Sequence, residues 1–310
     1  MTNETKPQIP KFEIPKEFSS EDDYLRHLTY KGAERNYKEI TEEIRTRIDA
    51  ELEAIQAKAF AGYFLMLQEI MQAVRQMNIL VGPGRATAGN SIVNFCLGIT
   101  EIDPLKYGLR FERFLKPYET TLPCFDFDLE EGGREKVLHW LTERYGKERV
   151  AQRGAFDTNG KLSTHACAVI IGTDNLEKFI PVWHNDEKML LTSYKSAIEK
   201  GKVTYYPFRE IGLIYLNVSD FKALSAVKKT LSNIKKAKGI EIDISKIPLD
   251  DAKTFEFFIN CKDKNTEKCC DVLYPDTPNA HFVGSALLGY RMAYLKANFP
   301  EEFISFSNVK

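Results

Sequence analysis

The stretch Leu122–Glu131, LPCFDFDLEE, decides how this chain folds. Aromatic and acidic residues alternate in it with a period of two. Successive side chains of a strand point to opposite faces, so Phe125 and Phe127 share one face and Cys124, Asp126 and Asp128 the other. One face belongs in a core and the other presents two carboxylates. In-phase carboxylates beside buried aromatics are costly unless they are paired or metal-bound. The residues alone leave two readings open. One is a metal site of the DxD kind that holds Mg²⁺ in nucleotide-transfer enzymes. The other is a solvated sheet end.

Around this strand, helix and strand patterns alternate. Residues 1–20 carry Pro7, Pro10 and Pro15 among polar residues and read as an extended leader or linker. SSEDDYLRHL opens a helix with Ser20 as N-cap and acids in the first turn. Ile40, Ile44, Ile48, Leu52 and Ile55 recur at helical spacing, and FAGYFLMLQEIMQAVRQM continues the pattern after a break near Gly62. NILVG reads as a short buried strand, PGRATAGNS as a glycine-rich turn and SIVNFCLGI as an apolar helix. GGREKVLHWLTERYG is the next helix. RVAQRGAF, HACAVIIG, FIPVW and GLIYLNV read as strands. SDFKALSAVKKTLSNIKKAKG is a helix opened by Ser219 and closed by Gly239, and GSALLGYRMAYLKANF a last helix stopped by Pro300. The expected class is α+β (mixed α/β), a mixed sheet flanked by helices.

The bulk numbers exclude some functions. At 310 residues the chain can bury a sizeable core, as one large domain or two small ones. Lys+Arg (43) and Asp+Glu (44) nearly cancel, so attraction to nucleic acid needs a local patch. The helix after Ser219 offers one. Leu224, Val227, Leu231 and Ile234 line one face, while Lys222, Lys228, Lys229, Lys235, Lys236 and Lys238 occupy the rest. Such a face could track phosphates, with Lys228, Lys229, Lys235 and Lys236 as DNA contacts, or be a plain solvated surface. The six cysteines form no CxxC pair and read as reduced thiols of a cytoplasmic protein. Cys261, Cys269 and Cys270 lack a convincing zinc spacing. No apolar run reaches the ~18 residues of a membrane span.

VGPGRATAGNS, residues 81–91, places glycines between a strand and a helix. Such a turn exposes backbone N–H groups that suit phosphate. Gly84, Arg85, Thr87 and Ser91 are its candidate nucleotide contacts. No Gly-Lys-Ser/Thr follows and no GxGxxG is present, so the loop is neither a Walker nor a Rossmann element.

Taken in order, these pieces resemble the palm of the C-family bacterial replicative polymerases, the DNA polymerase III alpha subunits. That family carries V-G-P-G-R-G-S-G-A-G-S, then I-T-x-x-D-P-L-x-x-x-L-x-F-E-R-F-L-x-P, then P-D-F-D-x-D. ITEIDPLKYGLRFERFLKP and LPCFDFD are similar to the last two. FAGYFLMLQEI resembles the family's G-Y-F-L-I helix, THACAVIIG its K-H-A-G-G-V-V-I strand and ISKIPLDDAKTFEFF its I-P-L-D-D segment. YRMAYLKANFPEEF resembles a fingers helix. The likeness runs from about residue 20 to 304.

The resemblance implies a polymerase-beta-like nucleotidyltransferase palm spanning residues 21–310, with N-terminal helices and a reduced fingers remnant near 260–305. It implies a start after the family's amino-terminal domain and most of the fingers missing. It also implies a site of two Mg²⁺ ions on three aspartates, and here the residues depart from it. The first aspartate falls on Cys124, the second on Asp126 and the third on Asn217. Asp128 matches a trailing acid, and the lysine before the third aspartate falls on Tyr215. Arg85, Ser91, Arg113 and His165 keep family residues that contact nucleotide. Two divalent ions ~4 Å apart repel by roughly 17 kcal/mol at an effective dielectric of ~20, which clustered carboxylates must offset. A thiol and an amide are poor replacements. The expectation is a catalytically defective protein of DNA replication or repair that binds nucleic acid, nucleotide or a replication partner. A minimal one-metal enzyme using Asp126 and Asp128, and a pure interaction scaffold, are the alternatives.

Overall fold

The computed structural model describes residues 7–153, 155–156, 162–163, 167–184, 189–192, 198–199, 202–203, 208, 211–260 and 279–305. His165, Cys261, Cys269 and Cys270, and the expected fingers remnant over 261–278, lie outside the described residues.

Three helices come first: α1 (Glu21–Asn36), α2 (Glu42–Ala57) and α3 (Ala61–Gln76). Ser20 caps α1 as expected, its side chain accepting from the Asp23 N–H. The break before α3 falls at residues 58–60, where Ala59 adopts φ 55°, and Gly62 lies inside the helix. α3 is buried almost all round, from Tyr63 to Leu67 and again at Ile70 and Met71, and forms the centre of the main core. Residues 7–15 carry no helix or strand, and a turn follows in which the Phe18 N–H donates to the Pro15 carbonyl. Ile9, Phe12 and Ile14 pack on the core, and the Gln8 N–H donates to the Gly212 carbonyl at 2.7 Å.

The main sheet has six strands: β1 (Phe125–Leu129), β2 (Val150–Arg153), β3 (Ala168–Ile171), β4 (Trp183–His184), β5 (Leu190–Thr192) and β6 (Ile214–Asp220). Their spatial order is β1-β6-β3-β2-β5-β4. β1 runs parallel to β6 and β2 parallel to β5, while the other neighbours are antiparallel. Among the described residues the further α-helices are α4 (Ile92–Cys96), α5 (Gly133–Tyr145), α6 (Lys222–Lys238), α7 (Ala252–Asn260) and α8 (Ala280–Asn298). This is the expected mixed α/β class, a mixed sheet flanked by helices, and it is consistent with a nucleotidyltransferase-like palm.

Each face of the sheet has its own packing. Phe125, Phe127 and Leu129 join Leu216, Val218, Val169 and the helices in the main core. The opposite face buries Tyr215, Ala168 and Ile170 in a smaller cluster against which Cys124 packs. Two expectations need correction. NILVG makes only one bridge, Val81 to Leu129, because the chain turns into the glycine loop straight afterwards. Ser219 does not open α6: β6 continues through Asp220, and Phe221 takes the cap position without a side-chain bond. Gly239 closes α6 at φ 68°, as expected.

Candidate nucleotide and phosphate site

β1 presents Asp126 and Asp128 on the face away from the main core, as the alternation requires. Parallel pairing sets Asn217 of β6 directly opposite Asp126. The Asn217 amide Nδ2 donates to Asp126 Oδ1 at 2.5 Å. The second carboxylate has a different partner: Arg85, from the glycine loop, lies 3.4 Å from Asp128 Oδ1. Burial pushes the Asp128 carboxyl above its ordinary range, and nearby Asp126 pushes the same way; Arg85 and His281 pull it back. Tyr215 points into the smaller apolar cluster, with its ring stacked on Phe208 at 6.2 Å.

The glycine loop is held by two neighbours. Above it lies α8, whose Gly284 packs so closely that an added Cβ would stand 2.0 Å from the Gly84 carbonyl oxygen. Gly84 itself has φ 119°, which L side chains rarely adopt. Ala86 holds a left-handed φ of 55° without being glycine. Below the loop, Glu51 of α2 is fully buried and receives the Ser91 hydroxyl at 2.6 Å and the Ile92 N–H at 3.1 Å. Arg47 pairs with Glu51 at 2.6 Å and also donates to the carbonyls of Asn90 and Leu109. Burial pushes the Glu51 carboxyl up, against the pull of Arg47, Ser91 and Ile92. The α4 N-terminus, expected to face a phosphate, thus receives an internal carboxylate.

A cavity of about 300 Å³ opens between loop and α8. Gly82, Gly84, Arg85, Asp128, His281 and Ser285 line its polar side, with Phe221, Leu288 and Met292 on the apolar side. Of the sequence candidates, Gly84, Arg85 and Asp128 meet here. Ser91 is buried on Glu51, Thr87 is exposed, and Arg113 is exposed on a short 3₁₀ turn, none of them lining the cavity. His281, Ser285 and Phe221 were not foreseen. Glu51 had a signal: it sits among Ile48, Leu52 and Ile55 on the apolar stripe of α2. Among the described residues no group of three or more His, Cys, Asp or Glu side chains could hold a metal ion.

On α6 the lysines divide. Lys228 is half-buried and bonds both the Glu130 carboxylate and the Asn78 carbonyl. Lys235 pairs with Glu241 at 3.0 Å and Lys238 with Glu302 at 3.2 Å. Lys229 and Lys236 are exposed. No helix among the described residues is long and apolar enough to cross a membrane.

Comparison with known proteins agrees with this architecture. Residues 23–161 match the family described as the bacterial DNA polymerase III alpha NTPase domain. The DNA polymerase III subunit alpha of Borreliella burgdorferi is 28% identical over 80% of this chain and 27% of its own length. That of Aquifex aeolicus is 36% identical over 62% of this chain and 18% of its own. That of Treponema pallidum is 41% identical over 49% of this chain and 13% of its own. The chain thus spans between about an eighth and just over a quarter of the length of these relatives. A glycine loop under a helix, beside a strand of alternating aromatics and carboxylates, accordingly sits in a chain that is similar in sequence to part of the bacterial DNA polymerase III alpha subunits.

Proposed function

We propose that this chain is a replication-linked protein that uses its palm for binding and does not extend primers. The observation that carries the reading is the pairing of both strand carboxylates with groups of the chain itself. Asn217 donates to Asp126 and Arg85 pairs with Asp128. A hard divalent ion takes several oxygen ligands, and Mg²⁺ demands near-octahedral geometry. Cys124 supplies a thiol where the family's first aspartate would stand, and Asn217, at the place of the third, turns a donor toward Asp126. These residues do not fit a pair of Mg²⁺ ions. Losing one transition-state electrostatic element costs on the order of 10² to 10³ in rate, and several are absent here.

Binding chemistry is better supplied. Arg85, His281 and Ser285 border the cavity, where a phosphate group of a nucleotide or a nucleic-acid end would find side-chain donors. A strand of DNA would meet Lys229 and Lys236 on α6, with Lys235 exchanging Glu241 for phosphate. A replication partner is the other class of ligand in this reading. The deciding experiment uses the full chain: primer extension with Mg²⁺ or Mn²⁺, beside equilibrium binding of primed DNA at low salt. Binding without extension is expected. Extension that vanishes in Asp126→Ala would overturn the reading in favour of a one-metal enzyme. No DNA or nucleotide binding, with a stable protein complex, would favour a scaffold. Exposed Phe255, Ile259 and Phe282 on α7 and α8 are the observation on that side.

A further inference from the structure

The carboxylates of a divalent-ion centre must present oxygens to the ion and leave its coordination sphere open to other oxygens. Here Asp126 already accepts a hydrogen bond and Asp128 is already ion-paired. Parallel register holds Asn217 opposite Asp126, and an acidic oxygen can only accept, so the amide must turn its NH₂ toward it. Rotating that amide to offer its oxygen to an ion would set it against the carboxylate and lose the 2.5 Å bond. Arg85 brings a full positive charge beside Asp128, where an incoming cation would meet repulsion. Its guanidinium has five N–H donors, and the Asp128 contact involves one nitrogen. Arg85 borders the cavity together with His281 and Ser285.

We infer that Asn217 and Arg85 replace the divalent cations of this site, so that it takes no metal ion and receives a phosphate-bearing ligand as the metal-free anion. This rests on the binding function proposed above and adds the ionic form of what is bound. Mg²⁺ complexed to a polyphosphate removes negative charge that Arg85 would otherwise meet, and brings a cation toward Asp128 with no carboxylate free to hold it.

The test has two arms. In the first, Mn²⁺ binding to the full-length chain is followed by electron paramagnetic resonance. The wild type should show no saturable Mn²⁺ binding at this site. Asn217→Asp combined with Arg85→Gln should gain it, with affinity at least about tenfold above wild type. Saturable Mn²⁺ on the wild type that disappears in Asp126→Asn would overturn the inference. So would a folded double variant, verified by circular dichroism, that gains nothing. In the second arm a fluorescent nucleoside triphosphate is titrated in EDTA and in excess Mg²⁺. Equal or tighter binding in EDTA supports the inference, and binding that requires Mg²⁺ and is lost in Asp126→Asn sinks it. Absence of nucleotide binding in both buffers would count against the proposed nucleotide function, while the Mn²⁺ arm would still decide the inference.

Discussion

Gly284 of α8 and Gly84 of the glycine loop meet backbone to backbone: a methyl group added to Gly284 would lie 2.0 Å from the Gly84 carbonyl oxygen. Neither partner can yield cheaply, since one is a helix and the other a loop already at φ 119°. Gly284→Ala should therefore destabilise the protein by about 1–3 kcal/mol, the usual cost of overpacking. Urea unfolding of the two proteins measures it. A variant as stable as the wild type would mean that α8 does not sit on the loop this closely.

Ala86 stands in the left-handed region that costs an L residue roughly 1–2 kcal/mol, at the loop position where the family motif has glycine. Glycine removes that strain but adds chain entropy of roughly 0.5–1 kcal/mol. Ala86→Gly is expected to stabilise by about 0.5–1 kcal/mol net. A lower melting temperature would refute the strain.

The Asp128 carboxyl is raised above its ordinary value of 3.8, chiefly by burial. A raised carboxyl binds its proton more tightly in the folded state. Its contribution to stability is therefore fully present below about 3.8 and is lost as pH climbs through the folded value. Asp128→Asn lacks that titration. The variant's melting temperature relative to wild type should rise with pH from 3 upward and then level off. A difference that stays flat from pH 3 to 7 would contradict the raised value.

Glu51 ties α2, α4 and the loop together from a fully buried position. Removing it leaves the Arg47 Nε–H and the Ile92 and Val93 N–H groups without their acceptor. Glu51→Ala should cost about 3–5 kcal/mol, and Glu51→Gln, which keeps an acceptor oxygen, clearly less. Equal losses in denaturant titration would assign the effect to packing alone.

The α6 lysines should divide into two classes. Lys228→Ala strands the buried Glu130 carboxylate and should lower stability. Lys229→Ala and Lys236→Ala should leave stability unchanged. Each should reduce the slope of log binding constant against log salt for DNA by about one. Unchanged salt slopes in both would exclude this face from DNA contact.

Much of this architecture was legible in the sequence, and the exceptions have physical causes. The two-residue alternation of Phe125 to Asp128 fixed which side chains enter the core, because a strand allows only two directions. Ser20 and Gly239 marked helix ends through local chemistry that needs no distant partner. Glu51 was readable only as an acid on an apolar stripe with Arg47 one turn before it, since its other partners, Ser91, Ile92 and Val93, lie about forty residues away. Lys228 looked like one more surface lysine, because Glu130 reaches it from another element. Ser219 failed as a cap because pairing with Asp128 extends β6 past it, and backbone pairing overrides a local preference. His281 joined the cavity through helix docking, which no spacing in its own segment encodes.

The parallel pairing of β1 with β6 also bears on how the chain acquires its structure. All of β2 to β5 lies between these two strands in sequence, so the contact between Asp126 and Asn217 spans a long intervening loop. Closing such a loop carries an entropic penalty before any compensating interaction forms, and non-local pairing slows folding. The β1–β6 pairing at the edge of the sheet should consolidate late, after the local helices, and pulse-labelled hydrogen exchange should find the Asn217 amide, which faces β1, protected after those of Leu216 and Val218, which face β3. Nascent molecules would then pass through a stage with the β1 edge bare, which makes that edge the place where assistance during synthesis, or aggregation in its absence, would act.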